Sequence, residues 1–132
     1  LTTGLKKVKL SGILRKGHYT VVELWASWCG PCRADIPHLK ETYERYHGKG
    51  FDMVSISIDD DTDAWLKAVK EEGMAWTQVC GANGKSYDKE CMKLFGANGV
   101  PSCVLVDAEG RVVSTNARGG WLNEKLAKLF QE

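Results

Sequence analysis

Hydrophobic residues in the first part of the chain follow a strand pattern and then a helix pattern. Residues 19–25 form a nearly continuous run of apolar, β-branched and aromatic side chains, which predicts a central strand covered on both faces. After Cys29, apolar residues recur at helical spacing until Gly48, and Pro31 stands where a first-turn proline is favoured. The pattern therefore predicts a strand that leads directly into a helix, with a kink near Pro37.

The rest of the chain repeats this alternation and ends with a hairpin and a helix. Residues 51–58 alternate as a second strand, and an apolar stripe capped by Asp61 or Thr62 predicts a helix up to Gly73. The further predicted elements are a strand over 75–80, a helix that includes 87–95, antiparallel strands over 102–107 and 111–115, and a helix over 121–130. Parallel strand–helix–strand units followed by a hairpin imply an α/β fold, with a central mixed sheet flanked by helices on both faces.

The composition predicts one globular domain without a strong overall charge. A chain of 132 residues with 43% hydrophobic and 27% charged residues can form one core, so we expect a single domain over 1–132. The formal net charge of +1 does not favour nucleic acid or anionic lipid as a partner. No apolar run approaches the ~18 residues that a membrane span requires. Because the chain begins at Leu1 without a signal-type segment, we expect a mature form or an excised domain, in which any upstream targeting or tethering segment would lie outside this sequence.

The motif that carries chemistry is Cys29-Gly30-Pro31-Cys32, at the predicted junction of strand and helix. Backbone amides at a helix N-terminus favour a thiolate on Cys29. One helical turn brings Cys32 within disulfide distance, so one sulfur can attack a partner disulfide and the other can release the mixed disulfide. Half of a zinc site is the alternative, but zinc takes about four ligands and no second CxxC or HxxxH is present. The motif therefore predicts dithiol–disulfide exchange without a metal or other cofactor.

Several segments resemble the thioredoxin-fold thiol-disulfide oxidoreductases. They are VVELWASWCGPCR at 21–33, Pro37, Gly-Val-Pro at 99–101 and Arg118-Gly119. Residues 59–79 are similar to the extra strand–helix insertion of the TlpA-like and ResA-like type, and Leu-Ser-Gly at 10–12 is similar to the approach to the fold in that type. The resemblance implies a thioredoxin-like fold, an extracytoplasmic location, either periplasmic or membrane-tethered, and partner proteins that carry disulfides or dithiols. The Gly-Pro dipeptide is similar to that of the reducing thioredoxins, which implies a reductant.

The resemblance also implies which residues contact a partner. It implies a cis peptide bond between Val100 and Pro101 that faces Cys29, with the Val100 backbone pairing to an extended partner segment. Gly119 is similar to a family glycine beside the dithiol, where the missing side chain lets a partner approach. The predicted substrate-binding residues are Trp28, Gly30, Pro31, Val100, Pro101 and Gly119.

Glu23 interrupts the apolar strand and is the third predicted catalytic residue, beside Cys29 and Cys32. The resemblance places a buried acid at this position, beneath the resolving cysteine. Burial raises the pKa of a carboxyl, and the acid could accept the proton of Cys32 directly or through a water. The alternative is a solvated glutamate at the edge of the sheet. Many thioredoxins carry a lysine near this acid, and Ser55 occupies the corresponding stretch here.

The three other cysteines are predicted to be structural. Cys91 and Cys103 fit small buried hydrophobic positions. A Cys80–Cys91 disulfide is a sharper alternative, which closes a loop of about 11 residues. The tryptophans outside the motif are predicted to be core or cap residues, namely Trp25, Trp65, Trp76 and Trp121.

Two other functions are compatible with parts of the sequence. A thiol peroxidase of the peroxiredoxin-related kind shares the fold, but its cysteine motif is not found in this chain. A partner-binding module without catalysis would need only the surface around Pro101. We expect a monomeric protein-disulfide oxidoreductase that exchanges electrons with partner proteins and receives them from an upstream donor.

Overall fold

The computed structural model describes residues 17–80, 99–115, 117 and 119–130. In chain order its elements are β1 (Tyr19–Trp25), α1 (Gly30–Tyr46), β2 (Phe51–Ser57), α2 (Thr62–Glu72), β3 (Thr77–Cys80), β4 (Ser102–Val106), β5 (Val112–Ser114) and α3 (Gly119–Leu129). The strands form one sheet in the order β3-β2-β1-β4-β5. β1 pairs in parallel with β2 and antiparallel with β4, so the predicted mixed sheet flanked by helices is confirmed.

β1 is the central strand and separates two clusters of buried side chains. Val21 and Trp25 belong to the larger cluster, which also contains residues from all three described helices. Val22 and Leu24 point to the opposite face and pack with valines and Ile56 from the neighbouring strands. All four of these β1 side chains have no exposed surface, which explains why the strand reads as an almost continuous apolar run.

The helix α2 has the ends that its sequence predicts. Asp61 is the N-cap, and its carboxylate accepts hydrogen bonds from the backbone amides of Asp63 and Ala64 at 3.0 and 3.2 Å. Gly73 ends the helix in the left-handed conformation with φ of 61°, which a glycine adopts without a Cβ clash. Of the two predicted caps, the structure therefore selects Asp61.

Two elements begin at different residues from those predicted. β3 begins at Thr77 rather than 75, because pairing with β2 starts where Thr77 lies opposite Val54. The helix α3 begins at Gly119 rather than 121, since the two glycines that open it carry no side chains and gave no periodic signal. The hairpin of β4 and β5 is antiparallel as predicted.

Of the four tryptophans predicted to be core or cap residues, Trp25, Trp65 and Trp76 are buried, and Trp121 is exposed at the start of α3. The first three are at most 6% exposed, whereas Trp121 is 43% exposed. Trp121 lies in the first turn of α3, off the stripe formed by the fully buried Leu122 and Leu126. Its side chain therefore faces solvent while the next residue enters the core.

The predicted helix over 87–95 and the Cys80–Cys91 disulfide involve residues outside the described ranges. Cys80 itself is buried at the end of β3, where its sulfur lies 3.6 Å from the carbonyl oxygen of Asp59. Cys103 is buried on β4, as predicted. Among the helices of the described ranges, none combines the length and the apolar character of a membrane span.

Candidate active site

The two motif cysteines lie where the central strand passes into α1. Cys29 is the N-cap residue of this helix, and Pro31 lies in its first turn. A disulfide joins Cys29 to Cys32, with their Cα atoms 5.2 Å apart. The backbone N–H of Cys32 donates to Sγ of Cys29 at 3.2 Å. An amide at a helix N-terminus is therefore aimed at the first sulfur, which is the arrangement that stabilises a thiolate after reduction.

The two sulfurs differ in their access to solvent. Cys32 is fully buried, whereas Cys29 keeps 5% of its surface exposed. The flanking residues Trp28, Gly30 and Pro31 are all exposed, and Trp28 keeps 68% of its surface in solvent. Of the two sulfurs, a partner can therefore reach only that of Cys29.

The second predicted contact segment lies at the same end of the sheet. In the antiparallel register of β1 and β4, Ser102 lies opposite Leu24, so Pro101 precedes β4 beside the carboxyl end of β1. The Val100–Pro101 peptide bond is cis. Val100 is half-buried and packs against both core clusters. The structure therefore brings this segment to the strand end that carries the dithiol.

Gly119 is the first residue of α3. It lines a cavity of about 290 Å³ together with residues of α1 and β4, among them Asp35, His38 and Cys103. Its φ is +59°, and no atom lies within 4 Å of the position where a Cβ would stand. The position is open to an approaching molecule, and its backbone conformation disfavours any other residue.

Glu23 is buried in the middle of the sheet, which excludes the alternative of a solvated edge residue. It has no exposed surface, and by strand alternation its side chain lies on the same face of β1 as Val21 and Trp25, two members of the buried cluster that also contains Cys29 and Cys32. The hydroxyl of Ser55 on β2 donates to Oε1 of Glu23 at 2.6 Å. Burial disfavours the ionised carboxylate, whereas this hydrogen bond favours it.

Asp59 anchors the loop that precedes the dithiol, and the sequence pattern did not single it out. Its carboxylate is 2% exposed and accepts the backbone N–H of Ser27 at 3.0 Å and the hydroxyl of Ser27 at 2.5 Å. The hydroxyl of Ser57 also donates to this carboxylate. The sequence signal that could have identified Asp59 is its position just after β2, because functional side chains are common at the carboxyl ends of parallel strands.

Arg33 ties the same loop to α2. Its Nε donates to Glu72 at 2.8 Å, its Nη2 to Glu71 at 2.9 Å, and its Nη1 to the carbonyl oxygen of Ser27 at 3.3 Å. The hydrogen bonds to Glu72 and Glu71 raise the pKa of Arg33 above its ordinary value. The permanently charged side chain of Arg33 therefore links α1 to α2 and to the loop. The sequence did not reveal this role, because the residues it contacts on α2 are distant in the chain.

Replacing Asp59 with alanine is expected to lower the free energy of unfolding by about 2 to 3 kcal/mol, because hydrogen bonds to a buried carboxylate are worth this much. Urea denaturation followed by far-ultraviolet circular dichroism measures the loss. The matched control is Asp60→Ala, at the exposed neighbouring position, which should change stability by less than about 0.5 kcal/mol. Equal losses in both variants contradict the anchoring role.

Comparisons with known proteins agree with this geometry. A family model described as Redoxin matches residues 1–121. The chain belongs to the Redoxin family. It is 25% identical to the thiol-disulfide oxidoreductase ResA of Bacillus thuringiensis subsp. konkukian over 127 residues, which cover 96% of this chain and 69% of the relative.

Solved structures give the same picture for this Redoxin-family chain. The thioredoxin domain of a thiol-disulfide oxidoreductase from Bacteroides vulgatus superimposes with a TM-score of 0.86 at 30% identity, covering 98% of this chain and 90% of that domain. A thiol:disulfide interchange protein from Bacteroides sp. superimposes with a TM-score of 0.82 at 32% identity, covering 95% of this chain and 80% of that protein. Together with the Cys29–Cys32 pair, these relatives identify a TlpA/ResA-like thiol-disulfide oxidoreductase of thioredoxin fold.

The described residues contain no group of three or more metal-ligating side chains that could hold an ion. The disulfide joins the two sulfurs of the motif, and the carboxyl of Glu23 lies on the face of β1 that packs into the buried cluster containing both cysteines.

Proposed function

We propose that this chain reduces disulfides in partner proteins, with Cys29 as the attacking cysteine and Cys32 as the resolving cysteine. The observation that carries this order is the difference between the two sulfurs. Cys29 caps α1 and keeps exposed surface, whereas Cys32 is fully buried. The sulfur that is best stabilised as a thiolate is therefore also the one that a partner can reach.

In the first step, the thiolate of reduced Cys29 attacks one sulfur of the partner disulfide. A bond forms between Cys29 and that sulfur, the partner S–S bond breaks, and the second partner sulfur leaves as a thiolate that takes a proton from water. Amides at the start of α1 stabilise the attacking thiolate before this step.

In the second step, Cys32 releases the partner. Its thiol gives a proton to the carboxylate of Glu23, directly or through a water, and the resulting thiolate attacks Sγ of Cys29. The mixed disulfide breaks, the Cys29–Cys32 disulfide forms, and the partner sulfur leaves as a thiolate that takes a proton from water, while protonated Glu23 releases its proton to water. The partner has gained two electrons from this chain and two protons from water, and an upstream dithiol must return two electrons to this chain before the next cycle.

The partner contacts the exposed surface around the dithiol. We assign this surface to Trp28, Gly30, Pro31, Val100, Pro101 and Gly119. The exposed ring of Trp28 offers apolar contact area, and the backbone of Val100 pairs with an extended segment of the partner. Partners of this kind are proteins that carry a disulfide accessible in an extended segment.

The domain, oligomeric state and location are part of the same proposal. We infer one thioredoxin-like domain over 1–132, with an insertion at about 59–79 that comprises α2, and we infer that it works as a monomer. An extracytoplasmic location, periplasmic or held by an upstream membrane anchor, is supported by the similarity to ResA. Fractionation of cells that express the full-length protein tests the location.

The direction of electron flow is tested by the equilibrium between the dithiol and a redox buffer. We expect a reduction potential near about −270 mV, the value typical of reducing thioredoxins, in mixtures of oxidised and reduced dithiothreitol. The exposed Trp28 next to Cys29 provides a fluorescence signal for this titration. A potential as high as about −120 mV, which is typical of oxidants of the DsbA kind, contradicts a reducing role.

A further inference from the structure

Two consecutive hydrogen bonds connect the buried side chains of Trp76 and Ser55 to one oxygen of Glu23. The indole Nε1 of Trp76 donates to Oγ of Ser55 at 2.8 Å, and Oγ of Ser55 donates to Oε1 of Glu23 at 2.6 Å. Trp76 is 6% exposed, and Ser55 and Glu23 have no exposed surface. These hydrogen bonds cross the sheet from the residue before β3, through β2, to the central strand β1.

While the carboxylate of Glu23 is ionised, only one assignment of donors and acceptors fits these two hydrogen bonds. An indole N–H is a donor only, so the hydroxyl oxygen of Ser55 is the acceptor in the first hydrogen bond. The hydroxyl has a single hydrogen, which is donated to Oε1 of Glu23. Accepting from the indole also strengthens the hydroxyl as a donor, because neighbouring hydrogen bonds polarise each other.

We propose that Trp76 and Ser55 are positioning residues that hold Oε1 of Glu23 as a hydrogen-bond acceptor, which leaves Oε2 as the oxygen that exchanges the proton with Cys32. This inference rests on the proposed role of Glu23 as the proton acceptor. Trp76 and Ser55 are thereby added to the proposed site as residues that act on the reacting sulfurs only through the carboxylate of Glu23.

The hydrogen bond also favours the ionised state that the second step requires. A protonated Glu23 cannot take the proton of Cys32, and a donated hydroxyl stabilises the carboxylate without adding a charge to the core. Among the described residues, the titratable groups on the surrounding elements include Cys29 and Cys32 at the start of α1, Cys103 opposite Glu23 on β4, and Asp59 after β2. The hydroxyl of Ser55 is the hydrogen-bond donor that β2 supplies to the carboxylate.

The decisive measurement is the titration of the Glu23 carboxyl by carbon-13 NMR in the oxidised protein, where Cys29 and Cys32 form a disulfide and do not titrate. Its signal is assigned by its loss in Glu23→Gln. We expect Ser55→Ala to raise the pKa of Glu23 by about one unit, because the carboxylate loses its hydroxyl donor. We expect Trp76→Phe to raise it by a smaller amount, and Ser55→Thr, which keeps the hydroxyl, to restore the wild-type value.

The matched control for Trp76 is Trp65→Phe. Trp65 is buried as Trp76 is, and within the described part of the chain its indole nitrogen has no hydrogen-bond acceptor. This variant should leave the pKa of Glu23 unchanged. An unchanged or lowered pKa in Ser55→Ala overturns the proposal, and so does an equal shift in the two tryptophan variants, since core packing alone would then account for it. If Ser55→Ala does not fold, the pKa of Glu23 in Ser55→Thr and in the two tryptophan variants still tests the proposal.

A kinetic readout separates this inference from the proposed function. Below the pKa of Glu23, the rate of the second step should fall about tenfold in Ser55→Ala, in proportion to the lost carboxylate. If Glu23→Gln leaves the second step unchanged, the role of Glu23 is wrong even if the carboxyl titration supports the hydrogen-bond chain. If Glu23→Gln slows this step and neither Ser55→Ala nor Trp76→Phe shifts its pH dependence, only the positioning role is wrong.

Discussion

Cys29→Ser is expected to abolish the reduction of insulin disulfides with dithiothreitol as the electron donor, by at least about a thousand-fold relative to the wild-type protein. A serine hydroxyl is scarcely ionised near neutral pH, so it cannot replace the thiolate as a nucleophile. Cys32→Ser should instead stop after the first step, because Cys29 can still attack while no second sulfur is present to resolve the mixed disulfide. A covalent complex with the substrate should then accumulate on non-reducing gels.

Cys80→Ala is the control, since it removes a buried thiol outside the motif and should keep the activity. Full activity in Cys29→Ser contradicts the assignment of the attacking cysteine. The same variants test the other functions compatible with the sequence. Steady consumption of hydrogen peroxide by the wild-type protein favours a thiol peroxidase, and stable partner capture that does not depend on either cysteine favours a binding module.

Glu23→Gln is expected to slow the release of the partner by about 100-fold, which is the lower range for loss of a general base. The amide keeps the size of the side chain and can still accept from Ser55, but it cannot take up the proton of Cys32. The first step should be unaffected, because Cys29 attacks as a thiolate that the helix N-terminus stabilises. Rapid-mixing experiments with a disulfide substrate separate the two steps by the rise and the decay of the mixed disulfide.

The control for the glutamate is Glu44→Gln, at an exposed position on α1 far along the helix from the dithiol. It should leave both steps at wild-type rates. An equal slowing of the first and second steps in Glu23→Gln indicates a general disturbance of the core and contradicts the role of Glu23 as a proton acceptor. Acceleration of the second step contradicts it as well.

The order of the strands and helices could be predicted well because each element carries its own periodic signal. β1 has the predicted bounds, and the helix α1 begins beside its predicted proline. The predictions were weaker where periodicity was absent. The helical pattern did not include Gly119 and Gly120, the first residues of α3, and it left open whether Trp121 is a core or a cap residue; in the structure Trp121 is exposed.

The site was predictable to the extent that its residues are close in sequence. Strand, loop and helix between Glu23 and Arg33 determine the spacing of the two sulfurs and the position of Cys29 at a helix N-terminus, because backbone hydrogen bonding sets both locally. Glu23 was also recognisable in the sequence, because an ionisable side chain within an apolar strand is costly to bury without a function.

The partners of these residues depend on contacts between strands that are distant in the chain. Glu23 meets Ser55 only because β1 and β2 pair in parallel in this register, and Ser27 meets Asp59 at the end of the same pair of strands. A shift of the register by one residue would turn Ser55 to the opposite face of the sheet. The sequence by itself therefore determined the dithiol and its strand–helix setting through local backbone preferences. Only the tertiary structure decided which hydroxyls and carboxylates surround it, because strand pairing sets those distances.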